Sequence, residues 1–151
     1  MGEQQPVNGV EARLRVLRVI WGAMLASVGL YAVLGFVLLP LFEPKNMEET
    51  EADVFLGPLL VLSLILIYAS FSAKFGRLAE AADRRRLDEA QKAIFMGLAL
   101  SEAAAFFGLV GIIITGNPLA FGIMAVGALV LLLHYPRREQ LSGEGQPLRE
   151  V

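Results

Sequence analysis

The 151-residue chain contains no cysteine, one histidine and one tryptophan. Without cysteine there is no disulfide, no thiolate zinc site and no cysteine nucleophile, and a lone histidine leaves no pair to hold a metal. Neither a glycine-rich phosphate loop nor an acid and a base at a common depth can be found, so no cofactor is expected and the pattern argues against an enzyme. The net charge of −2 gives no sign of a nucleic-acid partner. Charge is also missing locally, from several long stretches of the chain, and those stretches organise it.

Hydrophobic residues make up 56% of the sequence and the mean hydropathy is +0.59, above the roughly 45–50% apolar content of ordinary soluble domains. The excess falls in four runs at 19–42, 54–73, 93–115 and 118–135. A hydrocarbon core of about 30 Å requires about 20 apolar residues in a helix. The first two runs carry no charge, the third carries Glu102 alone, and the fourth is short and begins with a proline, which a helix start tolerates. None alternates as barrel strands do, and only helices or closed barrels satisfy the backbone in lipid. The first run is too long for a signal-peptide core and lacks a cleavage site. An all-α, four-span helical bundle is the expected fold.

Charge in the connections predicts orientation. Arg13, Arg15 and Arg18 precede the first run, while Lys74, Arg77, Arg84, Arg85, Arg86 and Lys92 separate the second from the third. Arg137, Arg138 and Arg149 follow the fourth. Lys45 is the one basic residue in the other two connections. The positive-inside rule then puts both termini in the cytoplasm of a cell membrane, the inner membrane if the source is bacterial. The expected organisation is a cytoplasmic segment at 1–18, a membrane domain at 19–135 and a disordered polar tail at 136–151. An acidic external loop lies at 43–53, and Gly116-Asn117 makes a tight external turn. The 74–92 connection is expected to be helical, supported by the opposite-charge pairs Arg84–Asp88, Arg85–Glu89 and Asp88–Lys92. Arg84, Arg85 and Arg86 are candidates for contact with anionic lipid. Trp21, Tyr135 and His134 fall where interfacial side chains usually sit.

Helices in lipid associate through close backbone approach, so small residues at helical spacing mark a seam. Gly97, Ser101, Ala104, Gly108, Gly111 and Thr115 follow a 4-3-4-3-4 spacing, that of a left-handed supercoil. Gly22, Ala26 and Gly29 form a shorter stripe in the first run. The two could pack in parallel, within one chain or between copies in a homo-oligomer.

Glu102 stands nine residues into the third run, about 13–14 Å deep at 1.5 Å per residue. An ionised carboxylate there is costly and ordinarily faces a partner or a water-filled cavity. Ser27, Tyr31 and Ser63 lie at a comparable depth and could hydrogen-bond it. Glu102 therefore either fixes helix register through a hydroxyl or binds and releases a proton or ion.

From Gly97 to Pro118 the sequence reads GLALSEAAAFFGLVGIIITGNP. This resembles the C-terminal helix of the proteolipid subunit c of rotary F-type and V-type ATPases, in which a GLAxxEAxxxxGLV-like pattern surrounds the ion-carrying carboxylate. The matching positions are Gly97, Leu98, Ala99, Glu102, Ala103, Gly108, Leu109 and Val110, with Asn117 and Pro118 closing the helix. The resemblance implies that Glu102 is the proton site; Ala103 stands where sodium-type relatives place a hydroxyl, which implies a proton rather than sodium. It covers 22 residues. The preceding run, VFLGPLLVLSLILIYASFSA, has one glycine where subunit c repeats glycine, and the stalk-contacting Arg-Gln-Pro loop is absent. Small four-span multidrug transporters carry their essential glutamate in the first span, which here is uncharged. The whole chain is similar to four-span bacterial membrane proteins of no assigned role. The expected function is that of a non-enzymatic bundle acting as an oligomer or as an accessory subunit of a membrane complex. The alternative is a proteolipid-like or proton-coupled transport protein using Glu102.

Overall fold

The computed structural model describes residues 5–41, 49–83 and 87–142. They form five helices: α1 (Gln5–Leu38), α2 (Glu49–Asp83), α3 (Leu87–Thr115), α4 (Ala120–Leu133) and the short α5 (Arg138–Ser142). Within the first three, Gly9–Leu38, Val54–Gly76 and Leu87–Thr115 are long and apolar enough to cross a bilayer. The chain is thus a helical membrane protein.

Local chemistry sets the ends. α1 stops at Leu38, short of the run's end at 42, because Pro40 cannot continue a helix; Leu41 N–H then closes a turn on the Leu38 carbonyl at 2.9 Å. α2 begins at Glu49, before the apolar run, and carries Pro58 internally. Between α3 and α4 the chain reverses at Gly116, whose φ of 61° favours a residue without Cβ. Thr115 Oγ1 accepts from Asn117 N–H at 3.1 Å and Asn117 Oδ1 accepts from Leu119 N–H at 2.9 Å, so side chains complete the turn. The tail expected to be disordered contains α5, with Leu141 buried against the bundle; residues 143–151 lie outside the described residues, as do 42–48 of the acidic loop and Arg84, Arg85 and Arg86.

α3 is the central helix. It packs most extensively on α2, then on α4, then on α1, whereas α1 and α2 share no extended contact among the described residues. The small-residue stripe is the reason. A Cβ on Gly108 would come within 2.6 Å of the Met124 nitrogen, and one on Gly127 within 2.5 Å of the Ala105 nitrogen. The α3 and α4 backbones therefore touch without intervening side chains. Gly111 faces Ala120 of α4 and Leu56 of α2, and Ser63 of α2 donates to the Ala104 carbonyl at 3.2 Å. Ser101, also in the stripe, is fully buried and donates to the Gly97 carbonyl at 2.8 Å.

The stripe on α1 behaves differently. Nothing lies within 4 Å of a Cβ placed on Gly22 or Gly29, and Ala26 is exposed. These three residues face away from α3, and the parallel pairing of the two stripes does not occur within the chain. α1 instead buries Leu14, Leu17 and Val28, and Gly35 near its end lies against Ile112 and Phe121. At its middle, Trp21 Nε1–H donates to the Leu131 carbonyl at 2.9 Å. The Trp21 ring meets Tyr135 edge-on at 5.1 Å, with the Arg18 guanidinium 5.5 Å from the Tyr135 ring centre. One end of the bundle thereby gathers Arg13, Arg18, Lys74, Lys92 and Arg137; the α3–α4 turn lies at the other.

Candidate functional site

α1 and α3 run parallel with a constant offset. Arg13 bonds Asp88 and Ser27 bonds Glu102, each pair 75 residues apart. Tyr31 and Phe106, separated by the same interval, meet edge-to-face at 5.5 Å. Behind the register are two matching rows. Arg13, Leu17, Ile20, Met24, Ser27 and Tyr31 on α1 repeat at 4-3-4-3-4, as do Asp88, Lys92, Phe95, Ala99, Glu102 and Phe106 on α3. Spacing of this kind holds one face of each helix toward its partner. Asp88 thus pairs across the bundle with Arg13; the expected Arg84–Asp88 pair lies outside the described residues.

Within this seam Glu102 is half-buried. Its Oε1 accepts a hydrogen bond from Ser27 Oγ and lies 3.3 Å from the Tyr31 hydroxyl. Ser27 Oγ is also 2.8 Å from the Met24 carbonyl. Oε2 accepts no hydrogen bond from the described residues.

The arrangement suits a carboxyl that changes protonation state. A hydroxyl has one proton to donate and lone pairs to accept. With Glu102 ionised, Ser27 and Tyr31 both donate to Oε1. With Glu102 protonated, the carboxyl proton can be given to Ser27 Oγ while Ser27 turns its own proton to the Met24 carbonyl. In both states the Ser27 hydroxyl keeps an acceptor for its proton, so the change does not strand it, which in a low-dielectric setting would cost about 1–3 kcal/mol. Around the site, α4 and residues 54–73 of α2 carry no charged residue; Tyr31 is the titratable side chain that faces Glu102.

Of the three hydroxyls at matching depth, Ser27 and Tyr31 reach Glu102. Ser63 does not, because α2 lies on the opposite side of α3, where Ser63 bonds Ala104. Depth along a helix is readable from sequence, but rotation about its axis relative to a neighbour is not. The Met24 carbonyl escaped the sequence reading for a simple reason: backbone acceptors have no sequence signature.

His134, expected at the interface, is 1% exposed. Its Nδ1 lies 2.8 Å from the Val130 carbonyl and its ring 4.7 Å from Phe71. Nε2 is buried without a hydrogen-bond partner among the described residues. The ring lies against Gly97, where a Cβ would come within 2.9 Å of its Cδ2, and beside buried Lys74. This cluster sits near the arginine-rich end, away from Glu102. Among the described residues no three His, Asp or Glu side chains gather as metal ligands would.

No family model matches the chain, and neither the curated proteins nor the solved structures include a significant match to it.

Proposed function

We propose that this protein is a four-span, non-enzymatic membrane protein with both termini in the cytoplasm. It works as an oligomer or as an accessory subunit of a membrane complex, and Glu102 takes up and releases a proton within the bilayer. The observation that carries the proton reading is the Glu102–Ser27–Met24 chain, which offers hydrogen bonds to the carboxyl in both of its states. Intramembrane acids are rare and mark proton or ion pathways. The likeness of α3 to the proteolipid helix points the same way.

The count of four rests on how far α4 reaches. Its helix has 14 residues, yet His134 at its end lies against Gly97. From the turn at Thr115 back to Gly97 is 18 residues of α3, about 27 Å at 1.5 Å per residue. With its flanking turns, α4 covers nearly the thickness of the hydrocarbon core. Orientation rests on the gathering of basic residues at the end where α1 begins and α4 finishes.

Carbodiimide labelling tests the proton reading, since dicyclohexylcarbodiimide attacks protonated carboxyls in apolar surroundings. Labelling of Glu102 that falls as pH rises is expected, with none in a folded Glu102→Gln variant. Failure to label at any pH refutes it. The subunit reading predicts that mild-detergent extracts contain a species heavier than the monomer, and a strictly monomeric chain without companions refutes that.

A further inference from the structure

The seam that holds Glu102 is closed on one side and open on the other, which gives the proposed proton site a direction. Toward the arginine-rich end, α1 and α3 part to leave a cleft of about 510 Å³ between Leu17, Ile20, Gln91, Lys92, Phe95 and Met96. A liquid water occupies about 30 Å³, so the cleft has room for a file of them. Its mouth is polar, with Asp88 as a further lining residue. It also follows the row that leads to Glu102, because Lys92, Phe95, Ala99 and Glu102 succeed one another on that face. Between the cleft and the carboxyl stand Ala99, whose side chain is a methyl group, and Met24, its counterpart on α1. Methionine is unbranched and changes shape readily.

Beyond Glu102 the seam is filled. Tyr31 and Phe106 pack edge-to-face at 5.5 Å. One turn farther, Gly35 lies so close that a Cβ would meet the Ile112 side chain at 2.7 Å and Phe121 at 3.3 Å. No lining residue of the cleft lies on that side.

We propose that Glu102 exchanges its proton with the aqueous phase at the arginine-rich end, through the α1–α3 cleft, with Met24 and Ala99 forming the gate. This rests on the reading of Glu102 as a proton site. Tyr31 on α1 is the titratable group facing the carboxyl; on α2, which lies across α3, Tyr68 is exposed, and α4 carries none.

Sealed membrane vesicles of known sidedness test it, with the pH on each side set independently and dicyclohexylcarbodiimide, which enters through lipid, as the probe. Labelling of Glu102 should track the pH on the side holding the termini, by up to about ten-fold per pH unit, and ignore the pH on the other side. Tracking the opposite side overturns the proposal. Absence of labelling at every pH overturns the proton reading itself, a different failure. The cysteine-free chain supplies a second arm that leaves folding untouched. A single Ala99→Cys variant, modified after folding with a charged, membrane-impermeant methanethiosulfonate, should react from the termini side and then lose its response to pH there. Reaction from the opposite side alone, no reaction, or a modified protein that responds as before would each refute the cleft as the route.

Discussion

Replacing Gly127 by alanine puts one methyl group where the backbones of α3 and α4 touch. That carbon would lie 2.5 Å from the Ala105 nitrogen, 2.6 Å from its Cα and 2.7 Å from its Cβ. Carbon atoms rest comfortably at about 3.5–4.0 Å, so the helices must separate by about 1 Å. Two of the three obstructing atoms are backbone, which has no alternative rotamer. Overpacking costs about 1–3 kcal/mol, and a backbone obstacle argues for the upper half of that range. Gly22→Ala and Gly29→Ala serve as controls, because nothing lies within 4 Å of either Cβ. Unfolding in mixed micelles of rising dodecyl sulfate content provides the assay, with Trp21, the sole tryptophan, as the fluorescent reporter. Helices persist in such micelles, so helix propensity largely cancels and the packing term remains. Gly127→Ala should lower the folding equilibrium by about 5- to 150-fold, the equivalent of 1–3 kcal/mol, and the controls should leave it near wild type. Equal stability for all three variants would refute the close α3–α4 approach. A loss in the controls matching that of Gly127→Ala would mean that the outward stripe on α1 is covered in the folded assembly, contrary to the geometry of the single chain.

The Arg13–Asp88 pair is an exposed tie, with side chains 34% and 74% accessible. Arg13→Ala and Asp88→Ala should each cost little stability, with a small coupling in a double-mutant cycle that fades as salt is raised. Coupling that is insensitive to salt would count against a solvent-screened contact. At the Gly97–His134 contact, Gly97→Ala should destabilise the native protein by about 1–2 kcal/mol and have little further effect in a His134→Ala background, as expected for residues in direct contact. Additive losses would show that the imidazole does not occupy the glycine's space.

Much of the architecture was legible because transfer into hydrocarbon depends on composition over about 20 residues and not on neighbours. Val54 and Thr115 bound apolar stretches in both sequence and structure. The ends where the two differ answer to local chemistry (Pro40 shortens α1) or to packing, as when Leu141 docks and orders α5. The candidate site was half legible. Counting residues put Ser27, Tyr31 and Ser63 at the depth of Glu102, but the direction in which each helix turns its face separated the first two from the third. The glycines of the Gly97–Thr115 stripe lie against α4, α2 and His134, whereas the sequence pointed to α1. The pairing of Asp88 with Arg13, 75 residues away, had no signature in local spacing.

The sequence by itself determined that this chain has helices apolar enough for lipid, where they lie along the chain, and how far into the third run Glu102 stands. Those properties follow from the solvation of each residue and the fixed rise of a helix. The tertiary structure decided which faces meet, that α3 lies at the centre, and that Ser27 and Tyr31 hold the carboxyl. Such choices depend on interdigitation between segments 75 residues apart, where the shape of one helix selects the rotation of the other.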